Sequence, residues 1–313
     1  MGDVGHGDFA IGELTMTAES DSRRQVMASR KAPLAILAGG GDFPLLVAET
    51  VAREGRAVMI FGIVGEASAR IETFPHVWLR RGQLGLLFGR MRAHGIVELV
   101  MIGGIRERRM PRLNEVDLGG LWGVLRNIRL LKSGDDSVLR FVANIIESRG
   151  FRVVGAADMA PALAISAGVK TRSAPDAADW RDIDVGLIAA KAHGATDRGQ
   201  AVIARDGTVL VRETAAGTDA MLEAVCSNHA LPTASGVLVK CLKPYQDRRL
   251  DMPAIGLETV ERAAAAGLRG IAVGAGETLV ADLPAVIAAL DRFGMFLVGV
   301  GHQGRIAQVG EAT

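Results

Sequence analysis

The chain has 313 residues, 49% hydrophobic and 23% charged, which suits roughly two domains of ~150 residues each and excludes a disordered polymer. Its 36 Lys and Arg against 35 Asp and Glu leave a net charge of +1, and only 4% of residues are aromatic. That balance excludes a protein built to coat nucleic acid or to stack single strands.

Residues 1–31 are polar and patternless, lack the apolar stretch of a secretory signal, and read as a disordered tail. No uninterrupted apolar run reaches the ~18 residues of a spanning helix, so the expected location is cytoplasmic. Leu34 to Ala38 reads as a buried strand, followed by Gly39-Gly40-Gly41 and a helix from Phe43 to Glu54. Ala57 to Val64 is a second strand, Gln83 to His94 a helix, and Leu99 to Ile102 a strand ending in Gly103-Gly104. Such strand–helix alternation predicts a parallel α/β sheet. Leu118 to Lys132 reads as a packed apolar helix whose Arg126, Arg129 and Lys132 suit an anionic membrane surface. Asp135 to Arg149 reads as a helix and Arg152 to Gly155 as a strand.

Composition turns to Ala, Pro, Ser and Gly between Met159 and Pro175, which places a domain boundary there. The second half opens with a helix from Ala177 to His193. A hairpin follows, Ala201 to Arg205 and Thr208 to Glu213, joined by Asp206-Gly207, a preferred type I′ pair. Strands at 237–240, 270–273, 278–281 and 295–300 and helices at 257–267 and 282–293 complete a mixed α/β pattern. The two cysteines, Cys226 and Cys241, have neither metal nor disulfide spacing and read as neutral thiols of a reducing compartment.

Five stretches carry chemistry. Gly39-Gly40-Gly41-Asp42, between a strand and a helix, suits a phosphate or ribose; the alternative is a ligand-free tight turn. Pro44 replaces the third glycine of the dinucleotide fingerprint, and no acid closes the second strand, which weighs against an oxidoreductase. Gly82 and Gln83 open a helix in the same manner. Asp135 and Asp136 offer paired carboxylates, although acids in a first helical turn are also favoured by the helix dipole. Asp197, Glu213 and Asp219 lie in two loops that the hairpin brings together, an arrangement suited to Mg²⁺ beside a polyanion. Lys240 to Pro253 concentrates cations and two aspartates after a buried strand, where α/β sheets place ligands.

Those last two stretches carry a resemblance. Asp197-Arg198-Gly199-Gln200, Gly217-Thr218-Asp219-Ala220-Met221 and the run KPYQDRRLDMP from Lys243 to Pro253 resemble the UDP-2,3-diacylglucosamine pyrophosphatases of lipid A synthesis. The type in question is the one unrelated to calcineurin-like metallophosphoesterases. Gly134 to Leu139 and Ile255 to Thr259 fit as well, and the likeness runs from Leu34 to Gly299. It departs at Ala216, where the family has Glu, so a further acid is sought at Glu213 or elsewhere.

The resemblance implies an α/β enzyme of two domains: a Rossmann-like parallel sheet over 32–158 and a mixed catalytic domain over 159–303, with a tail at 304–313. It implies Mg²⁺-dependent hydrolysis of UDP-2,3-diacylglucosamine to UMP and 2,3-diacylglucosamine 1-phosphate (lipid X). The reaction would take place on a lipid reached from the cytoplasmic face of the inner membrane. Asp219 is then the leading catalytic residue, with Glu213 and Lys240 beside it. Asp219, Asp197 and Asp247 are the expected metal ligands. Lys191, Lys243 and Arg249 are expected on phosphate oxygens, with Gln200, Thr218, Gln246, Asp135 and Asp136 as further substrate contacts. The loops Gly39 to Asp42 and Gly82-Gln83 are expected at the uridine end. A non-catalytic lipid or nucleotide-sugar binding protein is the competing expectation; it would need the pocket but not the acids.

Overall fold

The structure is a computed structural model that describes residues 32–105, 117, 135–196, 198–228 and 234–301. The expected helix over Leu118 to Lys132 lies outside the described residues.

The first half builds β1 (Leu34–Ala38), α1 (Phe43–Arg53), β2 (Val58–Ile63), β3 (His76–Leu79), α2 (Leu84–Ala93), β4 (Glu98–Ile102), α3 (Asp135–Glu147), β5 (Arg152–Val154) and the single turn α4 (Ala156–Met159). All five strands are parallel, in the order β3-β2-β1-β4-β5. That is the strand order 3-2-1-4-5 of doubly wound sheets. Unbroken apolar runs such as LAILA arise because both faces are covered. Leu45, Val47 and Val51 of α1 pack on one face, while Leu87 and Met91 of α2 and Ile145 of α3 pack on the other. Pro44 sits in the first turn of α1, where its missing N–H is not needed.

The second half builds β6 (Gly168–Val169), α5 (Ala177–Gly194), β7 (Ala201–Arg205), β8 (Thr208–Arg212), α6 (Gly217–Asn228), β9 (Val237–Lys240), β10 (Ala254–Ile255), α7 (Leu257–Ala265), β11 (Gly270–Gly274), β12 (Leu279–Val280), α8 (Leu283–Phe293) and β13 (Phe296–Val300). Six strands form a mixed sheet, β6-β13-β11-β9-β7-β8. Strands β9, β11 and β13 run parallel, and β7, β8 and β6 close the two sides antiparallel. Asp206 and Gly207 both take positive φ, 52° and 72°, as a type I′ turn requires. A capping box of Asp176 and Asp179 starts α5, and Gly294 in the left-handed region stops α8. Helix α5 covers one face through Ile183 and Ala190; α6, α7 and α8 cover the other through Leu222, Val260 and Val286.

The loop after β9 packs against both halves. It leaves β9 after Lys240, buries Leu250 in the cluster that holds Phe141 and Phe151 of the first half, and then packs Met252 and Ala254 against the core on the other side of that sheet. It ends in a two-stranded parallel ladder, β10 on β12. Arg249 fastens the crossing: its guanidinium meets Glu147 of α3 at 2.7 Å and the Val153 carbonyl of β5 at 3.4 Å.

Candidate active site

The chemistry-bearing residues gather at the carboxyl end of β9. Lys240 closes that strand, paired with Ala201 of β7 on one side and Val273 of β11 on the other. The residue is buried, and its ammonium donates to the Ala254 carbonyl at 3.0 Å. Burial holds this lysine below its ordinary range, while the negative charges of Glu213, Asp219 and Asp251 pull it back up. This end of β9 thus holds a buried lysine within electrostatic reach of three carboxylates.

The two acids nearest the hairpin have different surroundings. Glu213 is buried, and its carboxylate accepts from the Gln200 and Ala201 backbone N–H groups at 2.5 and 3.0 Å and from the Thr218 hydroxyl at 2.8 Å. Its carbonyl lies 2.6 Å from His193 Nε2 on the last turn of α5. Asp219 stands one residue beyond Thr218, in the first turn of α6, with its side chain 54% exposed. Its nearest cation is Arg262 of α7, whose Nε lies 4.0 Å from Oδ1, and no hydrogen bond to its carboxylate is found among the described residues. Three donors already meet the Glu213 carboxylate, which has about four acceptor sites. Asp219 remains open.

The loop after β9 holds two more of the expected residues, Asp247 and Arg249, against each other. Both carboxylate oxygens of Asp247 are engaged by the Arg249 guanidinium, at 2.8 to 3.3 Å. That bond holds the Asp247 carboxyl below the usual range and raises Arg249 further. The pairing with Arg249 engages both Asp247 oxygens, while the side chain keeps 25% exposure. Arg249 also meets Glu147 of α3 on its other side, so its guanidinium ties the loop to the first half. The acid of this loop that faces Lys240 electrostatically is Asp251, held by the Gln246 side-chain amide. Gln246 is buried and also accepts from the Lys243 N–H at 3.2 Å, so it braces the turn. The stem of Lys243 lies against Gly194 of α5, within 3.2 to 3.3 Å of where a side chain there would begin. Lys191 is exposed near Cys241, whose thiol burial pushes up to about 11.

At the first sheet, the glycine loop has a packing reason. The Gly39 N–H donates to the Ile102 carbonyl at 2.9 Å, and Gly40 and Gly104 exchange bonds of 2.7 and 3.0 Å. A Cβ on Gly39 would stand 2.6 and 2.7 Å from the Gly104 and Gly103 carbonyl oxygens. Two of the four amides of the Gly39–Asp42 loop are thus committed, Gly39 to the Ile102 carbonyl and Gly40 to the Gly104 carbonyl. Those of Gly41 and Asp42 lie beyond that crossing, and Asp42 pairs with Arg70 at 3.2 Å. Gln83 accepts from the Arg80 N–H, and the open amides of Gly85 and Leu86 in the first turn of α2 are taken by Asp117 at 2.9 and 3.0 Å.

Asp197 lies outside the described residues, and so do the side chains of Asp135 and Asp136, which open α3. Among the described residues no three His, Cys, Asp or Glu side chains converge to hold a metal. No described helix is long and apolar enough to cross a membrane. Sequence reasoning missed Asp251, His193, Arg262 and Asp117. Asp251 stood inside a quoted motif, but the other three carried no local signal, since each acts across the fold.

Comparison with known proteins agrees with this architecture. Residues 33–163 match the family described as the LpxI N-terminal domain, and residues 166–298 match the LpxI C-terminal domain. The chain is 35% identical over 280 residues to the UDP-2,3-diacylglucosamine pyrophosphatase LpxI of Caulobacter vibrioides, covering 87% of this chain and 99% of that protein. With both halves matched and nearly the whole of that relative covered, the chain belongs to the LpxI family.

Proposed function

We propose that this protein hydrolyses the pyrophosphate bond of UDP-2,3-diacylglucosamine, releasing UMP and 2,3-diacylglucosamine 1-phosphate for lipid A synthesis. The relative's activity supports the substrate. The structural observation that carries the reading is the buried Lys240 at the carboxyl end of a parallel strand, with the exposed carboxylate of Asp219 within electrostatic reach of it.

Cleavage of a diphosphate needs charge neutralisation and in-line placement of water more than covalent help. The Lys240 ammonium would take a phosphate oxygen in a site where water competes poorly. Asp219 would orient the attacking water and accept its proton. One P–O bond forms to the water oxygen, and the bond from that phosphorus to the bridging oxygen breaks. Among the described residues the donor set fits Mg²⁺ in one way. A single open carboxylate, Asp219, would hold the ion together with the substrate's own diphosphate oxygens, and the ion would neutralise diphosphate charge. Its acyl chains would bring such a substrate to the enzyme from a membrane surface, taken here to be the cytoplasmic face.

The test is a ³¹P NMR time course with UDP-2,3-diacylglucosamine and Mg²⁺, repeated with EDTA and with Asp219→Ala. The expected result is UMP and the acylated sugar 1-phosphate, lost on chelation and cut by ~10²-fold or more in Asp219→Ala. Unchanged turnover in Asp219→Ala would remove that residue from the mechanism. Tight retention of the lipid by wild-type protein without turnover would make the chain a binding protein.

A further inference from the structure

We infer that Glu213 and Thr218 are a positioning pair that aims Asp219; the inference rests on Asp219 being the reacting carboxylate. Strand β8 and helix α6 are joined by Glu213 to Ala216; Thr214, Ala215 and Ala216 are exposed, and Thr214 closes a local turn by accepting from the Gly217 and Ala216 N–H groups at 3.0 and 3.3 Å. A second constraint comes from beneath. The Thr218 hydroxyl, on the second residue of α6, reaches back five residues to Glu213 Oε1 at 2.8 Å. The other oxygen of the same carboxylate is held by the N–H groups of Gln200 and Ala201, at 2.5 and 3.0 Å, where β7 begins. Glu213 and Thr218 are only 6% and 7% exposed.

A buried acceptor with three donors has one low-energy orientation, and losing a donor leaves an unsatisfied charge. The first turn of α6 is therefore pinned to the start of β7, which pairs directly with Lys240. Asp219 is the next residue along, so this pin sets its distance from the buried ammonium. Gly199 completes the device. A Cβ there would stand 2.9 Å from the Glu213 Cβ and 3.0 Å from its Oε2, so only glycine leaves the carboxylate its place.

The experiment compares Thr218→Val, Thr218→Ser and Gly199→Ala by steady-state turnover of UDP-2,3-diacylglucosamine and by thermal melting. Thr218→Val keeps the shape and removes the donor. It should lower kcat by about 10- to 100-fold, the scale of an ångström's misplacement. KM should stay within about two-fold, because the Thr218 hydroxyl is spent on Glu213. Thr218→Ser keeps the hydroxyl and should restore kcat. If Thr218→Val does not fold, Gly199→Ala removes no polar group and should still lower kcat by displacing the Glu213 carboxylate. Wild-type kcat in Thr218→Val, or in Gly199→Ala, would overturn the inference. So would a serine variant as impaired as the valine one. A rise in KM alone would make Thr218 a substrate contact instead. Loss of turnover in Asp219→Ala together with wild-type kcat in Thr218→Val would sink this inference and leave the proposed function standing.

Discussion

Alanine at Gly39 tests whether the glycine loop exists for a ligand or for its own backbone. The added methyl would meet two carbonyl oxygens at 2.6 and 2.7 Å, both on the Gly103-Gly104 loop. Neither is a side chain that could swing away, so one loop must retreat by roughly 0.7 Å in a close-packed interior. The retreat weakens the bonds exchanged by Gly40 and Gly104, at 2.7 and 3.0 Å. Each is worth about 1 kcal/mol. Overpacking strain adds about 1–3 kcal/mol. A loss of about 3–5 kcal/mol follows, equivalent to a melting temperature lower by ~10 °C. Gly104→Ala is the control, since a Cβ there meets nothing within 4 Å, and it should melt close to the wild-type protein. The assay is thermal unfolding followed by circular dichroism, with KM measured on the same samples. Wild-type melting in Gly39→Ala, together with a raised KM, would refute the packing argument and return the loop to ligand approach.

Two further outcomes follow from the site. Arg249→Met removes a half-exposed bridge to Glu147, so solvent screening limits the stability loss to about 1 kcal/mol or less, measurable as a double-mutant cycle with Glu147→Gln. KM for the lipid should stay near wild type; a large rise would restore Arg249 to the phosphates. Lys240→Met should abolish most turnover yet melt no lower than wild type at pH 7, because it removes a buried charge. The folded-state value lies below the ordinary 10.5. Between the two values the unfolded chain binds a proton that the folded one lacks, so wild-type stability rises with pH across that window. Thermal melts against pH should show the rise in wild type and its absence in Lys240→Met. A marked loss of stability at pH 7 would mean that the acids around the lysine more than offset its burial.

The fold was legible where local pattern and tertiary demand coincide. Uninterrupted apolar runs such as LAILA and VLVK could only be strands covered on both faces, and Asp206-Gly207 dictated its own turn. The parallel sheet and the mixed sheet follow as expected. Strand β3, His76–Leu79, was passed over because an edge strand is half exposed and HVWL is neither alternating nor continuously apolar. Strand β6 has two residues and sits in the Ala- and Ser-rich connection, held by antiparallel pairing to β13 that no local pattern announces. In the candidate site, residue types were readable and their partners were not. Asp247 and Asp251 look alike in KPYQDRRLDMP. Only the fold shows that Arg249 occupies the first, while the second lies within electrostatic reach of Lys240. Likewise Glu213 looks like a free acid until Gln200, Ala201 and Thr218 are found around its carboxylate.

The loop that carries Leu250 also bears on how the protein is made. Phe141 and Phe151 belong to a core that is incomplete without Leu250. That side chain leaves the ribosome about 100 residues after Phe151, or roughly 5–20 s later at ordinary rates of synthesis. During that interval the first sheet can pair its strands, but one face of its core keeps an open apolar slot. The nascent chain should therefore stay susceptible to proteases and chaperones until the second sheet is nearly complete. The two halves would then reach their stable form as one unit and not in succession.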